Sequence, residues 1–98
     1  MIINKNYQRG RRIEYKIIGE LIKQGFVPIR SAGSHSIFDC IGIREDKILF
    51  IQSKRSKGKY YSFKKEIKEI KKLKVPKCCS KELWVWKDYK GWKVYRIK

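Results

Sequence analysis

Two stretches decide how this chain is read: Ile37-Phe38-Asp39-Cys40-Ile41-Gly42-Ile43, and Ile48-Leu49-Phe50-Ile51-Gln52-Ser53-Lys54. Each contains an apolar run of strand length, and each carries polar groups that a buried strand does not need. On an extended strand alternate side chains share a face, so Ile48, Phe50, Gln52 and Lys54 point one way while Leu49, Ile51 and Ser53 point the other. A carboxylate from Asp39, an amide oxygen from Gln52 and an ammonium from Lys54 can therefore meet at one end of a sheet. Oxygen ligands hold Mg²⁺, and a lysine beside them positions or polarises a nucleophile, which is equipment for attack on a phosphodiester. The competing reading is that these polar residues only mark where the strands leave the core.

The segment before them shifts the balance. Between Tyr7 and Gln24 the apolar residues Ile13, Ile17, Ile18, Leu21 and Ile22 follow helical spacing and form one buried stripe. At roughly 100° per residue, Glu14 projects near the middle of that stripe, while Lys16, Glu20 and Lys23 project outward. A carboxylate aimed at a core is costly unless it is paired or bound to a metal. The alternatives are a buried salt bridge, to Arg30 or Lys54, or a ligand to the same cation as Asp39.

With Glu14, Asp39, Gln52 and Lys54 in that order, the chain resembles the PD-(D/E)xK nuclease superfamily, and within it the archaeal Holliday junction resolvases. The resemblance spans about the first two thirds of the chain. It takes in the basic run Gln8-Arg9-Gly10-Arg11-Arg12, the Glu14 helix, Gly25-Phe26-Val27-Pro28-Ile29-Arg30, the loop Ser31-Ala32-Gly33-Ser34-His35-Ser36, and the two strands. It implies an α/β, restriction-endonuclease-like fold with a mixed central sheet flanked by helices. It also implies a Mg²⁺-dependent endonuclease, with Mn²⁺ as a substitute, acting on four-way DNA junctions as a homodimer. Glu14, Asp39 and Gln52 would be the metal ligands, Lys54 the catalytic lysine, and the Ser31 to Ser36 loop would lie near the scissile phosphate.

The chain departs from the family pattern at two positions. Phe38 stands before Asp39 where proline is usual, a change that a degenerate motif tolerates. Gln52 stands where Glu or Asp is usual; its carbonyl can coordinate Mg²⁺ but brings no charge, so metal affinity should fall. Such Q-x-K variants are similar to those of Mrr-like restriction nucleases. That keeps open a nuclease of the same fold acting on flaps or single strands, and beside it a catalytically silent DNA-binding protein.

Charge points to the same partner independently. The 98 residues hold 26 Lys and Arg against 9 Asp and Glu, a net charge of +17, which favours polyanions. A heat-adapted, lysine-rich surface would balance Lys with Glu, and this one does not. There is no apolar run of transmembrane length and no signal peptide, so a membrane partner is disfavoured and a cytoplasmic setting is expected. Arg9, Arg11 and Arg12 open the first helix, Arg30, Ser31 and Ser34 belong to the polar loop region, and Arg55, Lys57 and Lys59 follow Lys54. These are the candidate DNA contacts, of the kind that orient a duplex without reading its bases. Residues 1–9 have an alternative reading as a flexible basic arm.

A chain of 98 residues makes one domain, residues 1–98, with a single core. Ser62 is a candidate cap for a second helix carrying Phe63, Ile67, Ile70 and Leu73, closed by Pro76. Leu83-Trp84-Val85-Trp86, a turn at Asp88-Tyr89-Lys90-Gly91, and Trp92 to Ile97 read as a terminal hairpin. The order is helix, strands, helix, strands. Cys40 reads as a core residue, and Cys78-Cys79 with one histidine make a zinc site unfavourable. His35 reads as an exposed loop residue or a proton-transfer group, and the tryptophans as sheet core or interface in preference to base-stacking platforms.

Overall fold

The computed structural model describes residues 5–31, 37–56 and 62–98, the first five of these in their backbone only. Helix α1 (Lys5–Lys23) buries Ile13, Ile17 and Leu21, one side chain per turn. It stops where Gly25 turns left-handed, at φ 84°. The Gly25 N–H then reaches the Ile22 carbonyl and the Phe26 N–H the Leu21 carbonyl, 3.1 and 2.9 Å away, which closes the helix with a paired C-terminal cap. The helix takes in residues 5–9 of the segment read as a basic arm, and residues 1–4 lie outside the described residues.

Five strands follow: β1 (Val27–Arg30), β2 (Cys40–Arg44), β3 (Lys47–Arg55), β4 (Cys79–Lys87) and β5 (Gly91–Ile97), with helix α2 (Lys64–Lys72) between β3 and β4. They form one sheet in chain order. Three of its four ladders are antiparallel; β3 and β4 run parallel, because α2 carries the chain back before β4 begins. The sheet is therefore mixed and flanked by helices, as expected.

One helix covers each face. On the α1 side Ile17, Leu21, Phe26, Cys40, Leu49, Ile51 and Trp84 pack together. On the α2 side Phe38, Phe63, Ile70, Leu83, Val85 and Ile97 do so, with Phe50 and Tyr95 against them. The alternation read along β3 is what the fold uses: Leu49 and Ile51 face α1, and Phe50 faces α2. Trp84 is core, and its ring meets Trp92 edge to face at a centroid distance of 5.5 Å.

The N-cap position of α2 falls on Phe63, which makes no side-chain cap bond; the Ser62 hydroxyl, one residue earlier, accepts from the Lys64 N–H at 3.4 Å and so serves the first turn as expected. The buried Phe63 ring anchors the same end in the core. At the other end the buried Lys81 Nζ donates to the carbonyls of Ile70 and Leu73, 3.0 and 2.8 Å away. A cation thus satisfies the helix's free carbonyls and ties α2 to β4.

Two glycines separate packing from propensity. A Cβ on Gly42 would lie 3.0 Å from the Phe26 ring and 3.1 Å from Leu21, so Gly42→Val should destabilise by about 1–3 kcal/mol through overpacking between sheet and α1. Gly19, in mid-helix with nothing within 4 Å, should stabilise by about 1 kcal/mol when changed to Ala. Denaturant unfolding of the two variants checks both signs.

Candidate active site

Strand β2 begins beside a carboxylate. The Asp39 N–H donates to the Ile51 carbonyl at 2.8 Å and its own carbonyl accepts from the Ser31 N–H at 2.8 Å, so Asp39 is held between the ends of β1 and β3. Its side chain is fixed as well. One oxygen, Oδ2, accepts from the Ser53 N–H and the Ser53 hydroxyl, at 2.8 and 2.9 Å.

Glu14 enters from α1, where its position on the buried stripe aims it at this end of the sheet. Its Oε1 lies 3.8 Å from Arg30 Nε, so the salt bridge to Arg30 exists, and Lys54 takes no part in it. At that distance the pair is ionic without a hydrogen bond, and the buried Arg30 Nε has no acceptor. The Arg30 guanidinium rests over the Tyr15 ring, 5.2 Å from its centroid. Burial and the neighbouring Asp39 carboxylate raise the Glu14 pKa above its ordinary value, against the opposing pull of Arg30 and Arg11. Cys40 lies in the same field: burial, then Glu14 and Asp39, push its thiol up to about 12, so it stays a neutral core group whose Sγ points to the Glu14 carbonyl at 3.9 Å.

Gln52 and Lys54 rise from the other face of β3 than Ser53. Gln52 is buried next to Leu83 in the register, and its Oε1 has no hydrogen-bond partner. Continuing the β2–β3 register, in which Cys40 faces Ile51, sets Asp39 opposite Gln52. The structure thus brings Glu14, Asp39 and Arg30 together and places Gln52 and Lys54 on the adjoining strand end. No hydrogen bond or ion pair joins the two groups. Among the described residues no cluster of three or more His, Cys, Asp or Glu side chains is poised for a metal. Two acids and one amide make up the oxygen set read from the sequence.

The candidate DNA contacts divide in the same way. Arg11 and Arg12 are exposed on α1, and Ser31 is half-buried beside Asp39. Arg55 pairs with Asp88 at the β4–β5 turn. Ser34, Lys57 and Lys59, the side chain of Arg9, and His35 lie outside the described residues. Sequence reasoning passed over Lys16 as merely outward-facing. It stands 4.6 Å from the centre of the Trp86 ring, and a cleft lined by Arg12, Lys16, Arg55, Trp86 and Asp88 runs between α1 and β4. The signal was present, since Arg12 and Lys16 are four apart on a helix and share a face.

An α/β sheet with an acidic pair at the start of β2 and a lysine near the end of β3 defines a nuclease-type fold, and the known proteins agree. Archaeoglobus fulgidus Hjc, a Holliday junction resolvase from an archaeal hyperthermophile, has a similar structure: TM-score 0.71, 22% identity, covering 90% of this chain and 72% of that one. No curated protein sequence matches the chain. The model of the archaeal Holliday junction resolvase (hjc) family matches residues 5–98, so the chain belongs to that family of structure-selective nucleases. The match also takes in α2 and the terminal hairpin, beyond the two thirds over which motifs are visible.

The Glu14 environment has a pH signature. A carboxyl whose folded pKa is raised holds its proton more tightly in the folded state. Its stabilising contribution is complete below the unfolded pKa, near the ordinary value of 4.5, and is lost as pH rises through the folded value. Glu14→Gln removes this loss. Its melting temperature should match the parent's at low pH and exceed it at pH 7, as thermal melts across that range would record.

Proposed function

We propose that this resolvase-family chain is a Mg²⁺-dependent endonuclease cutting four-way junctions, with Glu14, Asp39 and Gln52 holding the ion, Mn²⁺ being accepted in its place, and Lys54 serving the nucleophile. The observation that carries the reading is the Glu14–Asp39 pair. Burial and the Asp39 carboxylate raise the Glu14 pKa against Arg30 at 3.8 Å and Arg11, so the acid pair forms a site short of positive charge. The orphaned Gln52 Oε1 fits the same need. Mg²⁺ bound there supplies Lewis-acid stabilisation of the charge that builds on a phosphate under attack.

The chain's own residues do the rest. Ser53 fixes Asp39 through two hydrogen bonds, so one carboxylate oxygen is held and the other stays free to bind. Lys54 makes no ion pair among the described residues, and its ammonium is available to orient the attacking water and stabilise the charge it develops. Arg12, Lys16 and Arg55 line a cleft in which phosphates are gripped without base readout. Arg11, Arg30 and Ser31 flank the scissile position. Arg9, Ser34, Lys57 and Lys59 are assigned to the DNA surface on their sequence positions. Among the described residues no helix is long and apolar enough to cross a membrane, and we place the protein in the cytoplasm with its DNA substrate.

Two symmetric cuts require two sites, and an uncovered sheet face suits a second copy of this chain. Helix α2 packs on β4 and β5. On its side of the sheet, the registers align Val27 with Ile43 and Ile29 with Ile41, and Val27, Ile29 and Ile43 are exposed by 65, 46 and 40%. That is an apolar patch of the kind that marks an interface.

The tests use junction DNA. On labelled four-way junctions, Asp39→Asn and Lys54→Ala should abolish the paired symmetric nicks seen with Mg²⁺ and absent with EDTA, while binding stays near the parent's because most affinity comes from other cations. Lys54→Ala melting far below the parent would make the lysine structural. Cutting of linear duplex as fast as junctions would exclude junction selectivity. Ile29→Lys should turn a dimer into a monomer in sedimentation at micromolar concentration, and a protein already monomeric would remove the dimer from the proposal.

A further inference from the structure

On the α2 side of the sheet two deeply buried oxygens lack a hydrogen-bond partner, Gln52 Oε1 and Glu66 Oε2, each on a residue only 9% exposed. Buried acceptors without a donor are rare in folded proteins and call for an explanation. Glu66 lies between Phe63 and Ile70 on α2, three residues after one and four before the other, so it shares their sheet-facing side.

Position along the strands brings the two together. Lys81 is the register partner of Phe50 and holds the Ile70 carbonyl, which sets that part of α2 near the Phe50 row. Since α2 runs back against β3, Glu66 lies one turn up from Ile70, a rise of about 6 Å. Gln52 lies two residues up from Phe50, a rise of about 6.6 Å. The levels agree.

Position across the sheet agrees as well. A connection from one strand through a helix to a parallel neighbour is right-handed almost without exception. With a right-handed α-helix in that connection, the flank carrying Glu66 turns toward β3 and the flank carrying Ile67 turns toward β5. Burial follows this division, for Glu66 is buried while Ile67 is half-exposed.

We propose that Glu66 is a further member of the metal site, a carboxylate reaching from α2 to the Gln52 amide oxygen and restoring the negative charge that β3 lacks. The proposal rests on the reading of Gln52 as a ligand. Two acceptors cannot bond one another, and among the described residues no ammonium or guanidinium pairs with Glu66. A cation shared between them satisfies both oxygens. For a hard divalent ion, one carboxylate and one amide oxygen from this side complement Asp39, which the β2–β3 register sets opposite Gln52.

The test is metal binding, read without turnover. Mn²⁺ is titrated into DNA-free, full-length protein and free Mn²⁺ is followed by electron paramagnetic resonance, with melting temperatures recorded metal-free. Glu66→Gln should weaken binding by about tenfold or more while the metal-free protein melts no earlier than the parent, because the carboxylate oxygen it replaces has no hydrogen-bond partner to lose. The double variant Gln52→Glu with Glu66→Gln moves the charge back to β3 and should recover the affinity. If Glu66→Gln binds like the parent while Asp39→Asn loses binding, the Glu66 proposal falls and the site reading stands. If neither variant changes binding, the site reading itself fails. A metal-free Glu66→Gln protein that melts well below the parent, or a double variant that recovers nothing, would assign Glu66 to packing and overturn the proposal.

Discussion

Strand β3 is packed from both faces, fully under α1 and in part beside α2, and most of the structure follows from that constraint. Leu49 and Ile51 complete the core under α1, and Phe50 joins the core under α2. Both helices are needed to dry the strand, and β2 and β4 are needed to satisfy its backbone on either edge. A strand held in this way cannot slip by one residue without reversing every side chain, so its register is strongly fixed. The polar residues at its end inherit that rigidity. Gln52, Ser53 and Lys54 are placed by hydrophobic packing several residues upstream.

The same alternation explains why the site is built from two half-sites. Ser53 looks toward α1 and fastens Asp39, which shares its field with Glu14. Gln52 and Lys54 look toward α2. A reactive centre at this place has to lie at the strand ends, where the two faces meet, and not on either face alone. Arg30 is the counterweight on the α1 side. Its 3.8 Å approach to Glu14 is close enough to lower the carboxylate's pKa and too long to occupy it with a hydrogen bond. Half-burial of both groups keeps that compensation incomplete.

Much of this was legible in the sequence, because helical and strand periods report burial directly. The Glu14 helix, the alternation along β3 and the terminal hairpin follow from spacing, and the mixed sheet from the resemblance to the nuclease superfamily. Strand β1 was harder to see: Val27-Pro28-Ile29-Arg30 is short, contains a proline, and sits on an edge where proline is tolerated. Ser62 was legible as a helix-start residue, and its hydroxyl accepts from the Lys64 N–H, while the N-cap position itself falls one residue later, on the buried Phe63. Glu66 was legible and missed. The spacing argument that put Glu14 in a buried stripe applies equally to Glu66 between Phe63 and Ile70, but Lys64-Lys65-Glu66-Ile67-Lys68-Glu69 looks like a solvated, salt-bridged surface. Register across a sheet and the direction of a crossover helix are tertiary facts, and no local pattern contains them.

Electrostatics join the site to its substrate. A chain of net charge +17 draws a polyanion to nearly any of its surfaces, yet Glu14 and Asp39 form a local negative patch at the site proposed for phosphate cleavage. Phosphate and these carboxylates repel one another unless a cation stands between them, so metal binding and correct seating of the scissile group favour each other by reciprocal linkage. The surrounding arginines and lysines contribute affinity without regard to the ion. Attraction is thereby assigned to the general surface and productive alignment to the acid pair. In the proposed site a neutral Gln52 would sharpen that division: it would lessen the repulsion toward DNA before the ion arrives, and leave the carboxylates to supply the negative charge once it does.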